Sequence, residues 1–360
     1  MRERIGILTG GGDCPGLNTV IRAVVKCAAK QGWETLGFQE GFEGLLDPVR
    51  YRLLDYKEMD ALLFVGGTVL GTSNKGRFAA KTGHGDRNRI PKEILDQAKA
   101  NFTSLGLRAL VVVGGDGSLS SAQQLHEHGV PVIGVPKTID NDLEATALTF
   151  GFDSAVACAT DALDRLRTTA QSHDRVMVLE VMGRYTGWIA VTAGVSGGGD
   201  VILVPEIPFR YERVCEKVLE REREGKRFTL VVVAEGAREQ GQDYVTAGEA
   251  GSNREARLGG IGGVVAAEIQ KRTGKETRVC VLGHLQRGGA PTSFDRLLCT
   301  RFGARAVQLI AEERYGCMVA LRPPDTVAVP LTEATGRLRT VSPQGDIVRT
   351  ARALGISFGD

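Results

Sequence analysis

The residues best suited to chemistry lie in two short stretches, GGDGS at 114–118 and PKTIDND at 136–142. The first follows the apolar run 110–113 and precedes a stretch from Ser118 onward that can begin a helix with a hydroxyl at its cap. A strand end, a glycine turn and a helix N-terminus gather free backbone N–H groups and the positive end of a dipole, an anion site most often used for phosphate. Asp116 sits inside it, and a carboxylate among phosphate-binding amides calls for a cation between them, for which Mg2+ is the natural choice. Taken alone, GGDG reads equally well as an ordinary strand-to-helix turn. In the second stretch Asp140 and Asp142 stand two apart beyond a strand end, where neither can be a core residue without a partner. That loop is read as chemistry rather than as a structural turn.

These loops need a scaffold, and the surrounding pattern supplies one. Strands are predicted at 4–9, 33–38, 110–113 and 130–135, with helical stretches at 17–30 and 94–105. A first glycine loop, GGGDCPG at 10–16, joins the first strand to the first helix. It has neither the GxGxxG nor the GxxxxGK[ST] spacing, so neither a dinucleotide fold nor a P-loop is indicated. Around Gly151 the pattern changes to a long helix, 155–170, taken as the entry to a second domain. Strands at 175–182, 201–206, 228–234 and 277–282 then alternate with helices at 211–224 and 264–271, so the second domain is also expected to be α/β with a parallel sheet. From Lys75 to Lys92 there are six Lys/Arg and one Asp, either a solvated basic loop or a contact to a polyphosphate.

A chain of 360 residues suggests two domains. A formal net charge of +2 argues against bulk nucleic-acid binding, and no apolar run approaches a membrane span. Seven scattered cysteines without metal-binding spacing read as reduced thiols. With a first strand expected within a few residues of the start, a cytoplasmic protein is the expectation.

Set in order, five blocks make the chain resemble the 6-phosphofructokinases: GGGDCPGLN at 10–18, GGDGS at 114–118, PKTIDND at 136–142, EVMGRYTGW at 180–188 and RVCVLGHLQRGGAPTSFDR at 278–296. The resemblance implies two Rossmann-like three-layer α/β domains with mainly parallel sheets and the active site in the cleft between them. It implies an ATP-binding domain at 1–151 plus 286–337 and a fructose 6-phosphate domain at 152–285 plus 338–360. It also implies transfer of the ATP γ-phosphoryl group to the sugar 1-hydroxyl, with Mg2+ and ATP as co-substrate. By motif position Asp140 is the base, Asp116 holds the metal, and Gly12 and Thr138 place donors near the moving phosphoryl group. Gly115, Gly117 and Ser118 then line the nucleotide phosphates. Arg175, Arg278, His284 and Arg287 match the 6-phosphate ligands, and Met182, Gly183, Arg184 and Glu235 match residues around the sugar hydroxyls and the reacting centre. In the family the two arginines matching Arg175 and Arg278 come from a neighbouring subunit, which implies a homo-oligomer with shared sites, a tetramer by family.

Family members use ATP or pyrophosphate, and this chain carries a mixed signature, Gly117 from the ATP pattern and Lys137 from the pyrophosphate pattern. An aspartate at 117 would fill the volume of the nucleotide α-phosphate, so Gly117 favours ATP, while Lys137 can reach either donor's phosphates or lie aside. Lys75 or Arg77 is expected to take the phosphate-contacting role of the basic loop, and Phe42 is the aromatic residue expected near adenine. Retention of both Asp116 and Asp140 argues against a catalytically silent sugar-phosphate sensor.

Overall fold

The computed structural model describes residues 2–73, 76–78, 89–246 and 258–360. Lys75 lies outside them. In chain order the strands are β1 (Arg4–Thr9), β2 (Glu34–Phe38), β3 (Tyr51–Leu53), β4 (Leu107–Gly114), β5 (Val132–Pro136), β6 (Val176–Val181), β7 (Val201–Leu203), β8 (Thr229–Ala234), β9 (Thr277–Val281), β10 (Cys317–Arg322) and β11 (Asp325–Pro330). The α-helices are α1 (Leu17–Lys30), α2 (Lys92–Ser104), α3 (Asp116–Glu127), α4 (Phe152–His173), α5 (Trp188–Ser196), α6 (Tyr211–Arg223), α7 (Ile261–Thr273), α8 (Ser293–Ala311), α9 (Leu331–Ala334) and α10 (Asp346–Ala353). Among the described residues no helix is long and apolar enough to cross a membrane.

The chain forms two compact units, Met1–Ser154 with Arg287–Leu338, and Ala155–Gln286 with Arg339–Asp360. The first holds a seven-stranded sheet in the order β11-β10-β5-β4-β1-β2-β3. Its inner pairs are parallel, and only the edge strands β3 and β11 run antiparallel to their neighbours. Leu110, Val111, Val112 and Val113 are fully buried, as a strand covered on both faces requires. Helix α1 buries Leu17, Val20, Ile21, Val24 and Ala28, the spacing of one helical face. It packs on α8 at Gly303, where an added Cβ would meet the Ala23 Cβ at 2.6 Å. Only glycine allows the two helices this approach.

The second unit holds a four-stranded, wholly parallel sheet in the order β7-β8-β6-β9. Its core gathers Val176, Val178, Val231 and Val233 from the strands with Val214, Val218, Val265 and Ile269 from α6 and α7. The α/β class and the mainly parallel sheets are as expected from the sequence. Strands β3, β10 and β11 were not expected.

Candidate active site

In the first unit, three segments leave the carboxyl ends of neighbouring strands: the loop 10–13 after β1, the turn at Gly115 with the first turn of α3 after β4, and the loop 137–142 after β5. The strand order turns between β1 and β4, with β2 on one side and β5 on the other, the switch point at which open α/β sheets leave a crevice for ligands. Backbone bonds pin the loops together: Gly10 N–H donates to the Val113 carbonyl (2.8 Å) and Lys137 N–H to that of Gly114 (2.9 Å). The first loop is also held by its carbonyls. Gly11 accepts from the Thr72 hydroxyl (2.5 Å), Gly12 from Lys137 Nζ (2.5 Å) and Asp13 from Arg287 Nη1 (3.1 Å).

The second loop differs from the sequence expectation in one respect. Helix α3 begins at Asp116, not at Ser118, and Gly115 occupies the cap position in an extended conformation with no side-chain cap bond. The reason is steric: Ser118 is needed in the first turn, where its side chain packs under Gly10. A Cβ on Gly10 would stand 2.6 Å from Ser118 Oγ. The first amides of α3 therefore meet no capping side chain of their own helix, the arrangement that suits an anion. Asp116 Oδ1 accepts from Gly336 N–H (3.2 Å).

In the third loop the Thr138 hydroxyl accepts from Asp140 N–H (3.1 Å), and Asn141 sits in the left-handed region at φ 51°. Burial pushes the Asp140 carboxyl up, opposed by the charges of Arg287 and Lys137. Burial, joined by the neighbouring charges of Asp140 and Asp116, pushes Asp142 up to about 7. Burial also lowers the Lys137 ammonium. Asp140 and Asp116 thus both act on Asp142 by charge, and a cation beside the loop would favour the ionised forms of Asp140 and Asp142. Among the described residues no cluster of three or more acidic, His or Cys side chains could hold a metal by itself. The set suits Mg2+ shared with phosphate oxygens, since that ion takes one or two carboxylates and fills its sphere with phosphate and water.

In the second unit, Met182, Gly183 and Arg184 follow β6, Glu235 follows β8, and His284 lies on the turn after β9. These loops share the carboxyl end of one sheet, because Val181 pairs with Ala234 and Glu180 with Val281. Met182 N–H donates to Gln286 Oε1 (2.7 Å), and Gly236 N–H to the Gly183 carbonyl (3.1 Å). A Cβ on Gly236 would overlap the Arg184 carbonyl, so the two loops can nest only with glycine there. Arg175 and Arg278 lie elsewhere. Arg175 precedes β6, and Arg278 pairs with Met177, near the amino end of the same sheet. Both pair with Glu276, at 2.8 and 2.5 Å.

Three other expected residues make contacts that the sequence did not indicate. Arg287, matched to the 6-phosphate ligands, belongs to the first unit, with Nη1 where it would stand 2.8 Å from a Cβ on Gly12. Arg77 forms a two-point ion pair with Glu43 (3.2 and 3.1 Å) and also reaches the Asp47 carbonyl (3.4 Å). Phe42 is buried and stacks on Phe78 with ring centroids 4.9 Å apart. Sequence reasoning passed over Gln286 and Glu276, whose signal would have been a polar residue beside a matched one.

The family model described as phosphofructokinase matches residues 4–310. The chain is 56% identical over 361 residues to a Chloroflexus aurantiacus protein named ATP-dependent 6-phosphofructokinase, covering 100% of this chain and 98% of that one. It is 50% identical over 343 residues to an Amycolatopsis methanolica protein named pyrophosphate–fructose 6-phosphate 1-phosphotransferase, covering 95% and 97%. Among solved structures it is similar to phosphofructokinase from Pichia pastoris in the T-state, with a TM-score of 0.82 and 30% identity over 93% of this chain. The chain spans about a third of that protein's length, 35%. Motif, fold and relatives agree, and the chain belongs to the phosphofructokinase family.

Proposed function

We propose that the protein transfers the γ-phosphoryl group of ATP to the 1-hydroxyl of fructose 6-phosphate, giving fructose 1,6-bisphosphate and ADP. The observation that carries this reading is the meeting of Asp116, Asp140 and the uncapped start of α3 at the carboxyl ends of β1, β4 and β5. Asp140 takes the proton of the sugar hydroxyl as its oxygen bonds to the γ-phosphorus, and the bond to the β,γ-bridging oxygen breaks to release ADP. Thr138 and the Gly12 loop orient the moving group, and the amides at 115–118 with Ser118 receive the nucleotide phosphates. Asp116 is the residue to hold Mg2+, which supplies charge neutralisation on the phosphates. Arg287 and Lys137 both favour the ionised form of Asp140, the form a base needs.

The placement of Arg175 and Arg278 supports shared sites in a homo-oligomer. Met182 and Arg184 stand at the carboxyl end of β6 and Arg175 at its amino end, about 20 Å apart at the rise of a strand. No arginine side chain bridges that span, so a sugar bound by the first set needs its second set from another copy. Lys137 braces Gly12, which gives it a role whichever donor is used, and the two named relatives differ in their donor. Pyrophosphate is therefore the second reading. The test is a donor assay with purified protein, fructose 6-phosphate and either ATP or pyrophosphate, with Asp140→Ala as control. Turnover with ATP that falls about 10²- to 10⁴-fold in the variant is expected. A preference for pyrophosphate, or a fully active variant, would overturn the assignment.

A further inference from the structure

Thr149 lies outside every loop so far assigned a role, yet it is almost wholly buried and bonds to the 137–142 loop through both its N–H and its hydroxyl. Its hydroxyl donates to the Thr138 carbonyl (2.7 Å), and its N–H donates to Asn141 Oδ1 (3.1 Å). Asn141 is the left-handed residue between the two aspartates, a conformation Asn tolerates better than most residues and which a local acceptor bond stabilises. Thr138 in turn orients Asp140 through its hydroxyl. The segment that carries Thr149 is itself braced on the sheet: Leu321 N–H at the end of β10 donates to Thr146 Oγ1 (2.9 Å), and Lys137 bridges Phe150. One rigid path therefore runs from the sheet through Thr149 to both sides of Asp140.

We propose that Thr149, tied to Thr138 through its hydroxyl and to Asn141 through its N–H, is a positioning device for the reaction, holding the loop so that the Asp140 carboxylate meets the acceptor hydroxyl. The inference rests on the reading of Asp140 as the base. Thr149 touches no reacting atom; it acts by fixing the turn on which Asp140 is mounted, and a misplacement of about 1 Å is enough to cost about 10² in rate. The valine at 149 keeps the shape and removes only the donor hydroxyl, whereas serine keeps the donor.

The experiment measures kcat and KM for both substrates, and thermal melts, in Thr149→Val, Thr149→Ser, Asn141→Gly, Asp140→Ala and the Asp140→Ala/Thr149→Val double variant. Thr149→Val should lose about 10²-fold in kcat with each KM within about threefold of wild type, and Thr149→Ser should regain most of the loss. In the Asp140→Ala background the valine should lower residual turnover no more than about threefold, because the group it positions is already gone. Asn141→Gly keeps the left-handed turn and removes the side-chain amide that supplies the acceptor. It should show the same split, and it decides the matter if Thr149→Val does not fold. A folded Thr149→Val with normal kcat beside an inactive Asp140→Ala overturns the clamp alone. So does a valine effect equally large in both backgrounds, which would mark a merely structural role. Near wild-type turnover in Asp140→Ala overturns the base and the clamp together.

Discussion

Gly10→Ala tests the nesting of the first two loops directly. The added Cβ would stand 2.6 Å from Ser118 Oγ, 3.2 Å from Ser118 Cβ and 3.9 Å from the Phe42 ring. Ordinary carbon contacts lie at about 3.5–4.0 Å, so rotating the hydroxyl away relieves only the first overlap, and the start of α3 must also retreat by a few tenths of an ångström. Overpacking of this kind costs about 1–3 kcal/mol, which lowers the melting temperature by a few degrees. The same retreat moves the amides proposed for the nucleotide phosphates, so kcat/KM for ATP should fall by about 10² while the KM for fructose 6-phosphate changes little. Ser118→Gly removes both crowding atoms. In the Gly10→Ala/Ser118→Gly double variant the stability should return, apart from up to about 1 kcal/mol for glycine in a helix, but ATP affinity should not, because the hydroxyl is lost with the crowding. Thermal melts and steady-state kinetics on the three variants decide it. A Gly10→Ala protein with wild-type stability and ATP kinetics would refute the nesting, and a double variant no more stable than the single one would show that the strain lies elsewhere.

Arg175→Ala and Arg278→Ala should each raise the KM for fructose 6-phosphate about 10- to 100-fold, with that for ATP nearly unchanged, as loss of a charged hydrogen bond implies. Mixing inactive Arg278→Ala with inactive Asp140→Ala under subunit exchange should restore some turnover, and none in verified hybrids would count against shared sites. Gly117→Asp sets a carboxylate against the nucleotide phosphates and should lower kcat/KM for ATP by about 10² or more, while pyrophosphate use is spared; unimpaired ATP use would show that Gly117 does not select the donor. Burial pushes the Asp295 carboxyl, which accepts from Ser154 N–H and Oγ, up to about 6. The folded state then holds that proton more tightly than the unfolded chain, so this contribution to stability is full below about pH 4 and is lost as the pH rises through about 6. Asp295→Asn should flatten that part of the stability profile, and an unchanged profile from pH 4 to 7 would refute the assignment.

The local chemistry of this protein was legible in its residues. Glycine loops after β-branched runs foretold where strands would end, and GGDGS and PKTIDND marked the acidic and phosphate-facing stretches, because such signals act over a few residues. The same locality explains what stayed hidden. The start of α3 depended on Ser118 fitting beneath Gly10, more than a hundred residues earlier, so a hydroxyl that suited a cap became a packed side chain. Strands β10 and β11 complete the first sheet from the far end of the chain, and no nearby pattern tied them to β5. Composition could not tell that Arg175 and Arg278 share Glu276 at one end of a sheet whose other end carries Met182, Arg184 and Glu235. Strand register decides that, since it sets which ends of distant segments coincide. Nor could it tell that Arg287 would lie at Gly12, or that Thr149 would brace Asn141. The sequence by itself determined which groups are available for phosphoryl transfer, and the tertiary structure decided which of them meet, because hydrogen bonds and close packing between distant segments exist only once the sheets have formed.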